Sequence, residues 1–196
     1  MQTIELSPGS KVVLIPAVPG VDAKAAFDGL MTGVPWQQNM FMQHQVPRLT
    51  AWYGDPGAVY TYSKQKNIPL RWTPLLADLR DRVTDAVSAL HPGWLPNSVL
   101  LNRYRSGSDS VAWHADNEPE LGVEPIIASV SLGATRDFLL KSREGKKRDR
   151  VKLALEYGSL LVMSGRCQAD WLHSIPKTET AVGERINLTF RFIATA

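Results

Sequence analysis

Between Thr73 and Leu90 apolar side chains recur at helical spacing, at Leu75, Leu76, Leu79, Val83, Ala86, Val87 and Leu90. That rhythm predicts a helix with one apolar face. Thr73 suits the N-cap and Pro74 the first turn, where a missing N–H costs nothing. His91-Pro92-Gly93 ends it. Residues 21–31, after Pro19-Gly20, predict a shorter helix, and KVVLIPAV (11–18) reads as a strand. From Val99 onward the texture changes. VLLNRY (99–104), PIIASVSL (125–132), TRDFLL (135–140), VKLAL (151–155), SLLVM (159–163) and RINLTFRF (185–192) are each about strand length and rich in β-branched or aromatic residues. Short strands behind two N-terminal helices predict a mainly β chain of α+β type, a sandwich or jelly roll with helices packed outside it. No βαβ alternation is present, which argues against a Rossmann-type sheet.

The last strand alternates cleanly. Arg185, Asn187, Thr189 and Arg191 share one face, and Ile186, Leu188, Phe190 and Phe192 share the other. The apolar face needs a core, so the polar face points into a cleft or into solvent. Asn102 and Tyr104 share a face of their own strand in the same way.

Trp113-His114-Ala115-Asp116 follows the 99–104 segment closely. If it is extended, His114 and Asp116 aim at one point. A third ligand must come from elsewhere, and His173 in DWLHSIP is the best candidate. Two imidazoles and a carboxylate on one face of an octahedral ion leave the other face open, an arrangement that points to non-haem Fe(II) oxygenases. Structural zinc is the rival, but such a site usually wants about four ligands with cysteines among them. Cys167 is the one cysteine in the chain, and a non-ligand role is expected for it. An arginine fork suits bidentate pairing with a carboxylate, and the 2-oxoglutarate cosubstrate of such oxygenases carries two.

Asn102 to Tyr104 (N-R-Y), Trp113 to Asp116 (W-H-A-D), Ser129 to Ala134 (S-V-S-L-G-A), His173 and R-I-N-L-T-F-R together resemble the AlkB family of nucleic-acid dealkylating dioxygenases. The likeness runs from about Pro47 to Phe192 and fades before about residue 35. P-R-x-x-x-x-Y-G-D at Pro47 to Asp55 and R-D-F at Arg136 to Phe138 look more like the branch that repairs double-stranded DNA. The resemblance implies one dioxygenase domain over residues 1–196, with N-terminal helices and a nucleotide-recognition lid (1–98) before a double-stranded β-helix core (99–193). It implies Fe(II) on His114, Asp116 and His173, with O₂ and 2-oxoglutarate as cosubstrates. Arg185 would pair the distal carboxylate of 2-oxoglutarate, helped by Tyr104. Arg191 and Asn102 would lie near its metal-binding end, with Asn187 nearby. The implied reaction removes methyl groups from 1-methyladenine and 3-methylcytosine in DNA, giving formaldehyde, succinate and CO₂. RNA, a protein side chain or a small molecule is the alternative substrate.

On the substrate side, the resemblance places Tyr62 over a flipped base with Tyr60 beside it. Both tyrosines also read as ordinary sheet residues. Glu118 would face the positively charged methylated base, although NEPEL is equally a plain acidic turn. Asn117 stands where the double-strand branch often has an acid. Met40 and Phe41 are candidates for a wedge between base steps, with core packing as the other reading. Lys146, Lys147 and Arg148 belong to the basic run 141–152, which suits a solvated hairpin tip or phosphate contact.

Composition narrows the setting. The 196 residues allow one full core, and 44% hydrophobic with 21% charged residues fits a globular protein. A net charge of +3 hardly selects a partner by itself. The first residues lack a secretory pattern, no apolar run is long enough to span a membrane, and a lone cysteine fits a reducing compartment. The expectation is a DNA-binding monomer away from membranes, in the cytoplasm, or in the nucleus of a eukaryote.

Overall fold

The structure, a computed structural model, describes residues 1–41, 44–62, 65–145 and 150–194, without the side chains of Phe41 and of residues 60–62 and 65–67. The chain opens with a hairpin of β1 (Gln2–Ser7) and β2 (Ser10–Ile15), followed by α1 (Ala23–Gly33), where Asp22 caps by accepting the Ala25 N–H at 3.0 Å. Then come β3 (Met40–Phe41), β4 (His44–Gln45), β5 (Leu49–Gly54), β6 (Tyr60–Tyr62) and β7 (Gln65–Asn67). Helix α2 (Pro74–Ser88) starts where the sequence predicts, with the Thr73 hydroxyl accepting the Leu76 N–H at 3.2 Å. The remaining strands are β8 (Ser98–Tyr104), β9 (Val111–His114), β10 (Ile127–Gly133), β11 (Arg136–Ser142), β12 (Arg150–Leu155) and β13 (Leu160–Gly165). After the short α3 (Cys167–Asp170) come β14 (Trp171–Ile175) and β15 (Arg185–Arg191).

Two sheets carry the fold. The larger has seven strands in the order β1-β2-β13-β10-β15-β8-β5, the smaller four in the order β12-β11-β14-β9, and their pairings are antiparallel. The larger sheet therefore takes β1, β2 and β5 from before residue 99. Alternation sorts its side chains into two layers. Val13, Leu101, Val130, Val162, Leu188 and Phe190 share a buried cluster with Leu30 of α1 and with Leu76, Leu79, Val83 and Val87 of α2. Val12, Ile127, Leu161 and Met163, which alternate with the residues of that layer, join Phe138, Leu140, Leu153, Leu155 and Trp171 of the smaller sheet in a second cluster. The interior between the sheets is thus part apolar and part polar, and the polar part holds the site.

Several expectations need correction. The residues 11–18 strand stops at Ile15, because the chain turns at Pro16 to enter α1. Phe192 does not share the burial of Ile186, Leu188 and Phe190: β15 ends at Arg191, and Phe192 is exposed. His114 is the last residue of β9, so Asp116 lies beyond the strand rather than two places along it. Met40 is 56% exposed on the small β3–β4 hairpin, which overturns core packing for that side chain. The β11–β12 hairpin pairs Lys141 with Arg150, while Lys146, Lys147 and Arg148 lie outside the described residues, as do the side chains of Phe41, Tyr60 and Tyr62. Among the described residues no helix is long and apolar enough to cross a membrane.

Candidate metal centre and cosubstrate pocket

His114 and His173 face each other across the β9–β14 pair, with ring centroids 4.2 Å apart. Asp116 follows in the turn after β9, and the donor atoms of all three side chains lie within 4.8 Å of one another. The Nδ1 of His114 is 2.9 Å from the Ala112 carbonyl oxygen. A carbonyl only accepts, so Nδ1 carries the hydrogen and Nε2 keeps its lone pair for a metal. Asp116 Oδ1 is paired with Arg191 Nη2 at 2.8 Å, whereas Oδ2 lies 3.9 Å from His173 Nε2. One oxygen is thus held and the other is left toward the imidazoles.

The electrostatics suit a cation. Burial works against the Asp116 carboxylate, but Arg191, His173 and His114 outweigh it and hold its pKa below the usual range. Burial, reinforced by His114, pulls His173 down to about 3, so the ring is neutral and able to ligate at ordinary pH. Phe138 stacks on His173 at 5.3 Å and closes that side with carbon. Cys167 is buried, its thiol pushed up to about 12 by burial, and it does not belong to the donor group. A neutral thiol is a poor ligand.

The cavity beside the triad is lined by Asn102, Tyr104, Asn187, Thr189 and Arg191, as the sequence anticipates, and by Arg48, Ser129 and Met163, to which it gave no role in the site. Arg185 does not line the cavity. It is fully buried behind Tyr104, its guanidinium carbon 5.0 Å from that ring's centroid. Its Nη2 donates to Ser131 Oγ and Asn187 Oδ1, both at 2.9 Å, while Nε and Nη1 have no hydrogen-bond partner. Burial lowers its pKa, so the protein bears the cost of a cation with half its fork unmatched. A carboxylate is the group that would complete it, and a dicarboxylate cosubstrate fits.

Asn187 is an organiser. Its carbonyl also accepts from Ser129 Oγ at 2.9 Å, and its amide donates to Thr189 Oγ1 at 2.8 Å. Asn102 accepts from Arg48 Nε at 2.6 Å, which draws that arginine to the cavity wall. Glu118 is not among the lining residues. One of its oxygens is buried without a hydrogen-bond partner, and burial, with Asp116 adding, raises its pKa against the pull of Arg191.

A two-sheet sandwich with a two-histidine, one-carboxylate set on the wall of its inner cavity, and a buried, half-matched arginine behind the Tyr104 side of that cavity, defines a mononuclear non-haem iron oxygenase with a carboxylate cosubstrate. The chain belongs to the 2OG-Fe(II) oxygenase superfamily, whose model matches residues 12–191, and within it to the AlkB-like iron(II)- and 2-oxoglutarate-dependent dioxygenases. It is 41% identical to the alpha-ketoglutarate-dependent dioxygenase alkB homolog 3 of Rattus norvegicus, covering 97% of this chain and 67% of that one. It is 38% identical to the DNA oxidative demethylase ALKBH2 of Arabidopsis thaliana, covering 98% and 69%. The solved structure of OsALKBH1 shares the fold, with a TM-score of 0.71 at 19% identity over 97% of this chain and all of the other. The likeness therefore extends well before Pro47, and identity is similar to the alkB homolog 3 and the ALKBH2 relatives, so it does not select a branch.

Proposed function

We propose that the protein oxidatively demethylates 1-methyladenine and 3-methylcytosine in DNA. The observation that carries this reading is one cavity that takes the His114, Asp116 and His173 donors on its wall together with Tyr104, behind which lies the buried, half-matched fork of Arg185. The Arabidopsis thaliana relative, named a DNA oxidative demethylase, supports the substrate class.

His114, Asp116 and His173 would hold the Fe(II), and Arg191 holds Asp116 Oδ1 at 2.8 Å, which leaves Oδ2 free. Arg185 and Tyr104 hold the distal carboxylate of 2-oxoglutarate, with Asn187 orienting the arginine and Asn102 and Arg191 near the metal-binding end. When bound, Fe(II) with 2-oxoglutarate and O₂ would supply the oxidation, giving succinate and CO₂ and adding one oxygen atom to the N-methyl carbon. The hydroxymethyl group then loses its hydroxyl proton and departs as formaldehyde. The electron pair of the broken C–N bond stays on the ring nitrogen and removes the charge of the lesion.

A base must leave the helix to reach this cavity, at a cost of a few kcal/mol that weakened pairing at a methylated base reduces. Exposed Met40 on the β3–β4 hairpin has the character of a stacking wedge, with Phe41 beside it. Tyr60 and Tyr62 supply the flat surfaces of the base pocket, Glu118 the acid that favours a cationic base, and Lys146, Lys147 and Arg148 the phosphate contacts. Incubation with Fe(II), 2-oxoglutarate and a 1-methyladenine oligonucleotide should release formaldehyde and succinate in equal amounts and restore adenine. Succinate formation without base repair, on single- and double-stranded DNA alike, would refute the substrate assignment.

A further inference from the structure

Asp116 has a difficult position. The ladder that fixes His114 ends with β9, so the backbone carrying Asp116 has no strand partner. Its N–H nevertheless has one firm acceptor, the side-chain oxygen of Gln168 at 2.9 Å. Gln168 is 1% exposed, and its amide Nε2 donates to the Met163 sulfur at 3.5 Å, which fixes which way the carboxamide faces. Gln168 lies on α3, the short helix that runs directly into β14, the strand of His173.

We infer that Gln168 is a positioning residue for the iron site, setting the place of Asp116 relative to His173. Its carboxamide joins the two ligand-bearing segments through a contact that touches neither the metal nor the substrate. Arg191 grips the Asp116 carboxylate from one side and Gln168 grips its backbone from the other, so the free oxygen is defined at both ends. Such outer partners commonly change metal affinity by about 10- to 100-fold. This inference rests on the iron assignment to His114, Asp116 and His173.

The test is Mn(II) titration followed by electron paramagnetic resonance, alongside amide hydrogen exchange of the metal-free protein. Failure of the wild-type protein to bind Mn(II) would overturn the iron assignment itself. With that assignment intact, Gln168→Met, which fills the space without the acceptor geometry, should bind Mn(II) about 10- to 100-fold more weakly. Its metal-free melting temperature should fall by no more than the loss of one buried hydrogen bond accounts for. Gln168→Glu keeps an acceptor oxygen at the same reach and should recover most of the lost affinity. Equal Mn(II) affinity in wild type and Gln168→Met would overturn the inference. Because Gln168→Met removes a buried amide and can unfold the chain, the wild-type protein carries an independent test: the Asp116 amide should exchange slowly. Rapid exchange of that amide would overturn the inference without any variant.

Discussion

Arg185 stands directly opposite Tyr104 in the β15–β8 ladder, and its guanidinium carbon lies 5.0 Å from the phenol ring centroid. Register alone brings them together, since residues opposite one another in an antiparallel pair project to the same face. The arginine is fully buried, yet two of its three nitrogens have no hydrogen-bond partner. Such a group is stored binding capacity for an anion.

Arg185→Lys tests that capacity. Lysine keeps the charge but loses the planar fork. Hydrogen bonds to charged groups contribute roughly 1.5–3 kcal/mol each, so losing one should raise the 2-oxoglutarate requirement about tenfold to a hundredfold. Mn(II) affinity and DNA affinity should hold, measured by resonance titration and fluorescence anisotropy. An unchanged cosubstrate requirement with weakened DNA binding would move Arg185 to the nucleic-acid side.

His114→Ala and Asp116→Ala should both abolish turnover and metal binding, but they should differ in stability. Asp116 and Arg191 are both buried, and removing one partner of a buried pair costs about 3–5 kcal/mol. Half-buried His114 has no such partner to strand. Denaturant unfolding of the metal-free variants should show Asp116→Ala well below His114→Ala. Equal stabilities would mean that the Arg191 pairing contributes nothing to the fold.

Acid should unfold the metal-free protein partly through His173. Its folded pKa of about 3 lies below the usual 6.5, so between those values the unfolded chain binds the extra proton. The contribution is therefore complete above about pH 6.5 and is lost as pH falls toward 3, on the order of 5 kcal/mol over the window. His173→Leu should flatten the wild-type loss of stability between pH 6.5 and 4. A slope unchanged by the substitution would show that carboxylates alone carry the acid response.

Replacing Lys146, Lys147 and Arg148 together with Ala should weaken binding to every DNA sequence and lower the slope of log affinity against log salt by up to about three. Anisotropy titrations over a range of salt concentrations measure both. An unaltered slope would make this run a solvated turn.

What could be read from the sequence divides by distance along the chain. The alternation in residues 185–191 announced a strand, and Thr73-Pro74 announced the start of α2, because both signals are local. The polar face of β15 proved to be buried like the apolar one, since a second sheet covers it. Alternation cannot reveal that cover. The strands β9 and β14, with four and five residues, are too short to give a period, although they carry both histidines. Arg48 meets Asn102, and Gln168 meets Asp116, across more than fifty residues of chain, and neither pairing leaves a local trace. For Ser129 and Ser131 a signal did exist: they alternate with Ala128, Val130 and Leu132 as the polar residues of β15 do with theirs.

The pairing of His114 with His173 has a mechanical consequence. β9 is a four-residue strand at the open edge of the smaller sheet, joined to β14 through an irregular register. Short edge strands are where a fold frays first. An ion gripped from both strands is therefore a rivet through this short edge pairing. Loading iron and sealing that seam become a single equilibrium, so the empty enzyme should be nicked by proteases around residues 105–118 long before the loaded one is.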